Sequence, residues 1–297
     1  MVDQRGWKLR VGTVIPSTNT IVQPDFDDLR LDGITNHVAR IGIPNIDIKT
    51  DDDFDKLVRL SEADLVAAVD RILTADPEIL VVGMSSLIVW DGYDASCQRR
   101  TMLEQRSKLP VTGGSFAVAE ALKKFDATTI GIISPYMPIA NKHISQFFTD
   151  IGFKVKNFIG LQCPSPVEIS HVTPDQLSEA LDQVDETDID VLVQFGTNLH
   201  FMEQAALEEE KRKKPVISIN SASYWHALRL KNIKTRYKNI YVHNIIKNKG
   251  LSFCIFKGVE LSNFSTRIPE TFFDSIRMSL GHFILILSLF MPNDFIN

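Results

Sequence analysis

The sequence predicts an α/β protein made of two copies of one parallel-sheet unit. Short apolar runs alternate with amphipathic stretches, a rhythm typical of βαβ units, in which helices cover both faces of a parallel sheet. The same pattern restarts near residue 129. The chain has 297 residues, of which 44% are hydrophobic and 23% charged, so we expect a packed core rather than a disordered or disulfide-stapled chain.

The first unit begins with a buried strand. The apolar run Leu9–Ile15 is short and rich in β-branched residues, and turn residues follow it. Ser61 and Glu62 open an amphipathic helix that extends to about Leu73, with its apolar side chains on one face. The other predicted strands of this unit are 36–43, 78–82 and 111–112, and its other predicted helices are 96–106 and 116–124.

The second unit repeats the first. The pattern G-x-V-x-P at residues 12–16 recurs as G-x-I-x-P at residues 131–135, as a duplication would leave it. The predicted strands here are 129–133, 154–159, 189–194 and 215–219, and the predicted helices are 139–151, 174–184 and 221–230. We therefore assign residues 1–114 and 216–240 to a first lobe and residues 115–215 to a second.

The stretch 241–297 is an atypical C-terminal extension that we leave unassigned. It shows no clear helical or strand period before Phe272–Leu289, although it is rich in apolar side chains. Such side chains are a liability unless they are covered, so we expect them to pack on the lobes or on a second copy of the chain. The sequence therefore predicts a homo-oligomer.

Composition excludes several classes of partner. With 32 basic and 37 acidic side chains the chain has no broad basic field, so we expect no nucleic acid partner. Its longest apolar stretch, Phe283–Met291, is far shorter than the ~20 residues of a membrane span, and the start lacks the apolar core of a signal peptide. The three cysteines, Cys97, Cys163 and Cys254, lack zinc or disulfide spacing, so we expect a reducing, cytoplasmic setting.

Four predicted strands end in loops with small polar residues: 16–20, 83–86, 134–136 and 196–198. In parallel α/β sheets, ligands collect beyond the carboxyl ends of the strands. Hydroxyls, an amide, a phenol and loop N–H groups suit a carboxylate and a developing enolate. The loops therefore predict a site for a small carboxylic acid. The alternative is that they are ordinary caps and turns.

The segments VGTVIPSTNT, VVGMSS, ISPYMP, VQFGTNL and PVISINSASYWHALRL resemble the maleate cis–trans isomerase and arylmalonate decarboxylase branch of the Asp/Glu racemase superfamily. The resemblance covers roughly residues 8–238. It implies two lobes related by a pseudo-twofold axis, with an active site in the cleft between them that needs no cofactor and no metal. It also implies that Asn19 binds substrate, that Ser85 and Ser86 hold a carboxylate, and that Tyr136 is the active-site tyrosine.

The same resemblance places Met84 and Gly196 where the family carries its two active-site cysteines. A thioether has no proton to exchange and glycine has no side chain, so neither position can supply a thiolate or a thiol proton. Three alternatives remain open. Cys163 is a displaced thiol or a buried structural cysteine; Tyr136 or water donates the proton; or the loops bind an acid without turning it over.

We expect a cofactor-free decarboxylase or lyase that acts on a small carboxylic or dicarboxylic acid through an enolate-type intermediate. The alternatives are a maleate-type isomerase with a substitute nucleophile and a non-catalytic carboxylate-binding protein. The predicted catalytic residues are Tyr136, Ser86 and Asn198, and the predicted substrate-binding residues are Pro16, Ser17, Asn19, Arg40, Met84, Ser85, Gly196 and Thr197.

Five further side chains have two interpretations each, and one acidic run has a single interpretation. Arg40 pairs either with a substrate carboxylate or within its lobe. His200, His171 and Glu168 are either acid–base groups or solvated surface residues. Asp51–Asp53 is expected to cap a helix, because no other ligand falls at metal spacing. Trp90 either packs in the core or forms a wall of the pocket.

Overall fold

The computed structural model describes residues 3–234, which contain two four-stranded parallel sheets. The first sheet has the order β2-β1-β3-β4 and the second has the order β6-β5-β7-β8. The strands are β1 (Leu9–Pro16), β2 (Ile34–Ile41), β3 (Ile79–Val82), β4 (Val111–Gly113), β5 (Thr129–Ser134), β6 (Lys154–Gly160), β7 (Val191–Gln194) and β8 (Val216–Ser218). The predicted α/β class with two similar parallel-sheet units is confirmed.

Helices connect the successive strands of each sheet. Parallel pairing requires this, because each connection must be long enough to return the chain to the same end of the sheet. They are α1 (Val22–Asp28), α2 (Asp51–Leu73), α3 (Ser85–Val89), α4 (Gly92–Ser107), α5 (Gly114–Lys124), α6 (Pro138–Asp150), α7 (Pro174–Val184), α8 (Met202–Arg212) and α9 (Ile219–Leu230). A short 3₁₀ helix covers Glu168–His171. No helix within residues 3–234 is long and apolar enough to cross a membrane.

The two sheets share one topology, because the order 2-1-3-4 of the first recurs in the second. Gly12 on β1 and Gly131 on β5 occupy matching positions of the repeated pattern. A Cβ on Gly12 would lie 2.9 Å from the Pro77 ring, and one on Gly131 would lie 2.9 Å from the Val184 carbonyl oxygen. Both glycines therefore let a connecting segment pass close to the sheet. This segment leads into β3, the neighbour of β1, in the first lobe, and into β7, the neighbour of β5, in the second.

The core covers both faces of the strands. On β1, Val14 belongs to the large apolar cluster that extends through both lobes, whereas Val11 and Ile15 face a smaller cluster with Tyr224 of α9. Alternate residues of a strand point to opposite faces, so a strand buried on both sides must be apolar at nearly every position. The continuous apolar run of β1 has this cause.

Helix α2 starts ten residues earlier than the predicted Ser61. Thr50 is its N-cap, and a capping box joins the Thr50 hydroxyl to the Asp53 N–H and the Asp53 carboxylate to the Thr50 N–H. The Asp51–Asp53 run therefore lies in the first helical turn, as its expected capping role requires. Ser61 is an internal, buried residue whose hydroxyl donates to the Leu57 carbonyl at 2.8 Å.

The segment 216–230 contacts both sheets. Strand β8 pairs with β7 in the second sheet, whereas α9 packs against α5, α1 and strands β3 and β4 of the first. The proposed extension 241–297 and Cys254 lie outside the described residues.

Candidate functional site

The four strand-end loops meet between the two lobes. The Thr197 hydroxyl donates to the Gly83 carbonyl oxygen at 2.8 Å, and the Asn19 amide donates to the Thr197 hydroxyl oxygen at 3.3 Å. Beside them the Asn198 side chain accepts a hydrogen bond from the Thr20 N–H at 2.9 Å. The loops after β1, β3 and β7 are thereby joined by a buried polar network that crosses from one lobe to the other.

Asn19 is placed by the start of α1. Its side-chain oxygen accepts hydrogen bonds from the N–H groups of Ile21 and Val22 at 3.1 and 3.0 Å. These N–H groups have no partner within the helix, which is why asparagine is favoured just before a helix. The amide nitrogen of Asn19 is left free to face Thr197.

The fourth loop contributes Tyr136, whose phenol oxygen lies 3.0 Å from the Ser85 hydroxyl oxygen. Ser85 is completely buried and Tyr136 is 6% exposed. Burial raises the pKa of Tyr136 to about 12, against the opposing effect of hydrogen bonds with Ser85, Ser86 and the Thr197 backbone. The phenol is therefore neutral at physiological pH and able to donate a proton or a hydrogen bond.

Tyr136 is held by its own loop and by its ring. Its N–H donates to the Ser134 hydroxyl oxygen at 3.2 Å, and that hydroxyl donates to the Asn141 side-chain oxygen at 2.8 Å. The phenol ring packs against Phe54 of α2, with the ring centres 5.2 Å apart. The phenol oxygen therefore has a defined position.

Met84 and Gly196 lie at equivalent strand ends, two residues beyond β3 and β7. Met84 is buried and precedes the first residue of α3. Gly196 has φ of +140°, and a Cβ at this position would lie 2.4 Å from the Pro135 ring. The backbone around Gly196 is therefore adapted to a residue without a side chain.

Cys163 lies in the loop after β6, where its N–H donates to the Pro135 carbonyl oxygen at 2.9 Å. The residue is buried, and this burial, together with the carboxylate of Glu168, raises the pKa of the thiol to about 11. The bond to Pro135 places Cys163 beside the residue that precedes Tyr136. At neutral pH the thiol is protonated and a poor nucleophile.

Arg40 and Ser17 fix the loop after β1. The Arg40 guanidinium donates to the carbonyl oxygens of Ser17 and Asn19 at 3.3 and 2.8 Å. The Ser17 hydroxyl donates to the Ile43 carbonyl and accepts from the Ile43 N–H. Pro16 is the buried last residue of β1. These residues shape the loop that presents Asn19.

The loops after β2 and β6 meet above the same region. The Ile48 N–H donates to the Pro164 carbonyl oxygen at 2.7 Å, and the Val167 N–H donates to the Asn45 side-chain oxygen at 3.1 Å. The Asn198 amide donates to the Pro166 carbonyl oxygen at 3.0 Å. The loops after β2, β6 and β7 are thereby joined to one another.

The remaining predicted groups occupy different places. His171 and Glu168 are exposed. Trp90 is buried, with its indole N–H bonded to the Asp55 carboxylate and its ring stacked on His143, so it packs in the core beside Phe54. His200 is half exposed and faces the buried carboxylate of Asp25.

Two buried polar residues beside the site escape sequence reasoning. Asp25 of α1 accepts a hydrogen bond from the Asn220 amide at 2.7 Å, and the same amide nitrogen lies 3.0 Å from the Thr197 carbonyl oxygen. The signal in the sequence was an aspartate within the apolar-faced stretch 22–28, but its partner is 195 positions away.

Within residues 3–234, no group of three or more histidine, cysteine, aspartate or glutamate side chains is arranged to hold a metal ion. The expectation of a metal-free site remains a prediction.

Comparison with known proteins identifies a matching family and several relatives of this chain. The family profile of arylmalonate decarboxylase matches residues 11–240. The maleate isomerase of Alcaligenes faecalis is 21% identical over 246 residues, covering 77% of this chain and 94% of that protein. The maleate isomerase of Geobacillus stearothermophilus is 21% identical over 245 residues, again covering 77% of this chain and 94% of the relative.

Solved structures share the fold. The Nocardia farcinica maleate cis–trans isomerase bound to TRIS superposes with a TM-score of 0.69 at 18% identity, covering 76% of this chain and 93% of that one. A crystal structure of arylmalonate decarboxylase superposes with a TM-score of 0.64 at 16% identity, covering 78% of this chain and 96% of that one.

Proposed function

The chain belongs to the arylmalonate decarboxylase family, and from this premise we propose that it is a cofactor-free decarboxylase of α-substituted malonic acids. The observation that carries the proposal is the neutral phenol of Tyr136, buried between the lobes and hydrogen-bonded to Ser85. Relatives of the chain are named as maleate isomerases, so the choice between the two reactions depends on the chemistry of the site.

Decarboxylation needs hydrogen-bond donors and a proton source, and it needs no nucleophile. When the C–C bond to one carboxylate breaks, CO₂ leaves and the bonding electron pair delocalises into the remaining carboxylate as an enediolate. A donor then protonates the α-carbon. Ser85, Ser86 and Tyr136 supply the donors, and removal of one such donor typically costs 10²–10³-fold in kcat.

Asn19, Thr197 and Asn198 have a supporting role in this proposal. Their side chains already bond one another or neighbouring loop backbone, so they set the spacing of the lobes and orient the loops around the substrate. Arg40 acts in the same way through the loop that it braces. Direct contact with substrate is assigned to Ser85, Ser86, Tyr136 and the amides of the first turn of α3, which lack helical acceptors.

Maleate-type isomerisation is the second candidate, favoured by the names of the relatives. It requires a nucleophile that adds to the double bond and later leaves. Met84 and Gly196 stand where the resemblance expects cysteines, and neither can add. Of the two cysteines within residues 3–234, Cys163 lies near Tyr136, but its raised pKa keeps it protonated. The charge states of the site therefore favour decarboxylation.

The proton donor is Tyr136 or Cys163, since both are neutral acids near the same place. The donated proton must return from solvent before the next turnover. Because Ser85 and Tyr136 are almost fully buried, substrate entry requires a local opening of the loops around them. A non-catalytic acid-binding protein would show the same loops without the turnover.

The test uses purified full-length protein with phenylmalonate, methylmalonate and maleate, each followed by proton NMR for product and by CO₂ release. We expect CO₂ and a monocarboxylic acid from at least one malonate, unaffected by a chelator, and no fumarate from maleate. Fumarate formation without CO₂ release would overturn the proposal in favour of the isomerase. Thermal stabilisation by malonates without turnover would overturn the enzymatic activity itself.

A further inference from the structure

A second polar chain connects the surface to the back of the candidate site. It consists of His200 in the loop before α8, Asp25 on α1, Asn220 on α9 and the Thr197 peptide. Asp25 is 2% exposed and Asn220 is 1% exposed, whereas the His200 side chain is 49% exposed. The His200 end of this series of polar groups therefore contacts solvent, and the other groups are buried.

The contacts are continuous. His200 Nδ1 lies 3.8 Å from Asp25 Oδ1, and Asp25 Oδ2 accepts the Asn220 amide at 2.7 Å. Asn220 Nδ2 also lies 3.0 Å from the Thr197 carbonyl oxygen. The loop that carries Thr197 lies against the phenol ring, since a Cβ placed on the preceding Gly196 would be 3.7 Å from Tyr136 Cζ. Asp25, Asn220 and the Thr197 loop thus separate a surface histidine from the central phenol.

The arrangement fixes Thr197 from two sides. Its hydroxyl binds Gly83 of the first lobe, while its carbonyl is held through Asn220 by Asp25 of α1. An aspartate this deeply buried costs free energy unless its charge is compensated. The amide of Asn220 and the nearby His200 provide this compensation for Asp25.

We propose that Asp25, supported by His200 and Asn220, is a positioning residue that holds the Thr197 loop against Tyr136 and makes this contact depend on the charge of the His200–Asp25 pair. The proposal rests on the proposed function insofar as Tyr136 is the reacting group. The connection between His200 and Tyr136 is nevertheless a property of the structure that can be measured without turnover.

The charges around the pair define the expected pH range. Asp28 of α1 faces both groups, and Glu203 of α8 faces His200. The carboxylate of Asp25, reinforced by these acidic neighbours, raises the pKa of His200, while burial raises the pKa of Asp25. The ion pair therefore exists above the raised pKa of Asp25 and is lost when the pH rises through the raised pKa of His200.

The experiment is a pH titration by NMR with ¹³C-labelled tyrosine and histidine. The sequence has five tyrosines and seven histidines, and the signals are assigned by their loss in Tyr136→Phe and His200→Gln. We expect the Tyr136 signal to shift with the same midpoint as His200 in the wild type. Asp25→Asn should remove the shared midpoint, and Asp28→Asn, an exposed neighbour on the same helix, should retain it.

Turnover provides a second measurement. If a malonate is decarboxylated, Asp25→Asn should lower kcat by about tenfold or more with little change in KM, because a displaced positioning contact costs rate. His200→Gln, at a half-exposed position, should reproduce the effect if Asp25→Asn does not fold. If the Tyr136 chemical shift in the wild type does not change at the pH midpoint of His200, the proposal is overturned, whether or not the protein decarboxylates malonates.

Discussion

Ser85 and Tyr136 are joined by a hydrogen bond of 3.0 Å that links the first turn of α3 in one lobe to the loop after β5 in the other. The lobes thus meet at a pair of hydroxyl groups. Both groups are neutral at physiological pH, so the site is suited to stabilising an anion that forms during the reaction.

Tyr136→Phe should abolish most of the activity and lower stability. The change leaves the buried Ser85 hydroxyl without its partner, which costs about 1–3 kcal/mol of unfolding free energy. Loss of one donor to the developing anion should lower kcat by about 10²–10³-fold. Urea denaturation and a decarboxylation assay measure the two effects. Tyr93→Phe on α4 is the matched control, because Tyr93 is half buried and is not a hydrogen-bond partner of Ser85 or Tyr136. It should leave kcat unchanged.

Thr197→Val should loosen the contact between the lobes. Valine keeps the shape of threonine but loses the hydroxyl that donates to Gly83 and accepts from Asn19. The unsatisfied carbonyl and amide should together cost about 2–4 kcal/mol of unfolding free energy. Thr197→Ser retains the hydroxyl and should lose less than half as much. Equal losses in the two variants would show that the methyl group, not the hydroxyl, matters.

Gly196→Ala should be far more damaging than Gly152→Ala. Both glycines have positive φ, +140° and +94°, so alanine is strained at either place by about 1–3 kcal/mol. At Gly196 the new Cβ also meets Pro135 at 2.4 Å, whereas at Gly152 nothing lies within 4 Å. Overpacking adds about 1–3 kcal/mol at Gly196 alone. Similar unfolding midpoints for the two variants would contradict this account of the Gly196 turn.

Cys163 should resist alkylation. With a pKa raised to about 11, about one thiol in a thousand is ionised at pH 8, against roughly a quarter of an ordinary thiol. The thiolate fraction grows about tenfold for each pH unit up to that value. Iodoacetamide labelling followed by peptide mapping should show slow modification of Cys163 and faster modification of half-buried Cys97. Rapid labelling of Cys163 at pH 7 would restore the displaced-nucleophile hypothesis.

The sheet was predictable because its strands are short, apolar and closed by turns, so Leu9–Pro16 and Thr129–Ser134 stand out without tertiary information. The recurrence of the G-x-V-x-P pattern as G-x-I-x-P also indicates the duplication. Helix boundaries were less accessible. Ser61-Glu62 imitates a helix start, but the apolar positions Phe54 and Leu57 extend the buried face of α2 back to Thr50. Helix α1 was missed because its stretch 22–28 contains proline and three aspartates.

The site was predictable only in part. The polar strand-end loops indicate where a ligand lies, because parallel strands bring their carboxyl ends to one edge. The sequence cannot show that Asn19 bonds Thr197, that Asn198 accepts from the Thr20 N–H, or that Asp25 meets Asn220, since these pairs are between 178 and 195 positions apart. It also cannot show that burial keeps Cys163 protonated. Those properties depend on the packing of the two lobes.

The most direct test of the central claim is decarboxylation of phenylmalonate in D₂O, followed by NMR and mass spectrometry of the product. We predict CO₂ release and phenylacetate with one deuterium at the α-carbon, with wild-type-like rates when a chelator is present and a loss of about 10²-fold or more in Tyr136→Phe. Absence of CO₂ release, together with conversion of maleate to fumarate that Cys163→Ala eliminates, would contradict it.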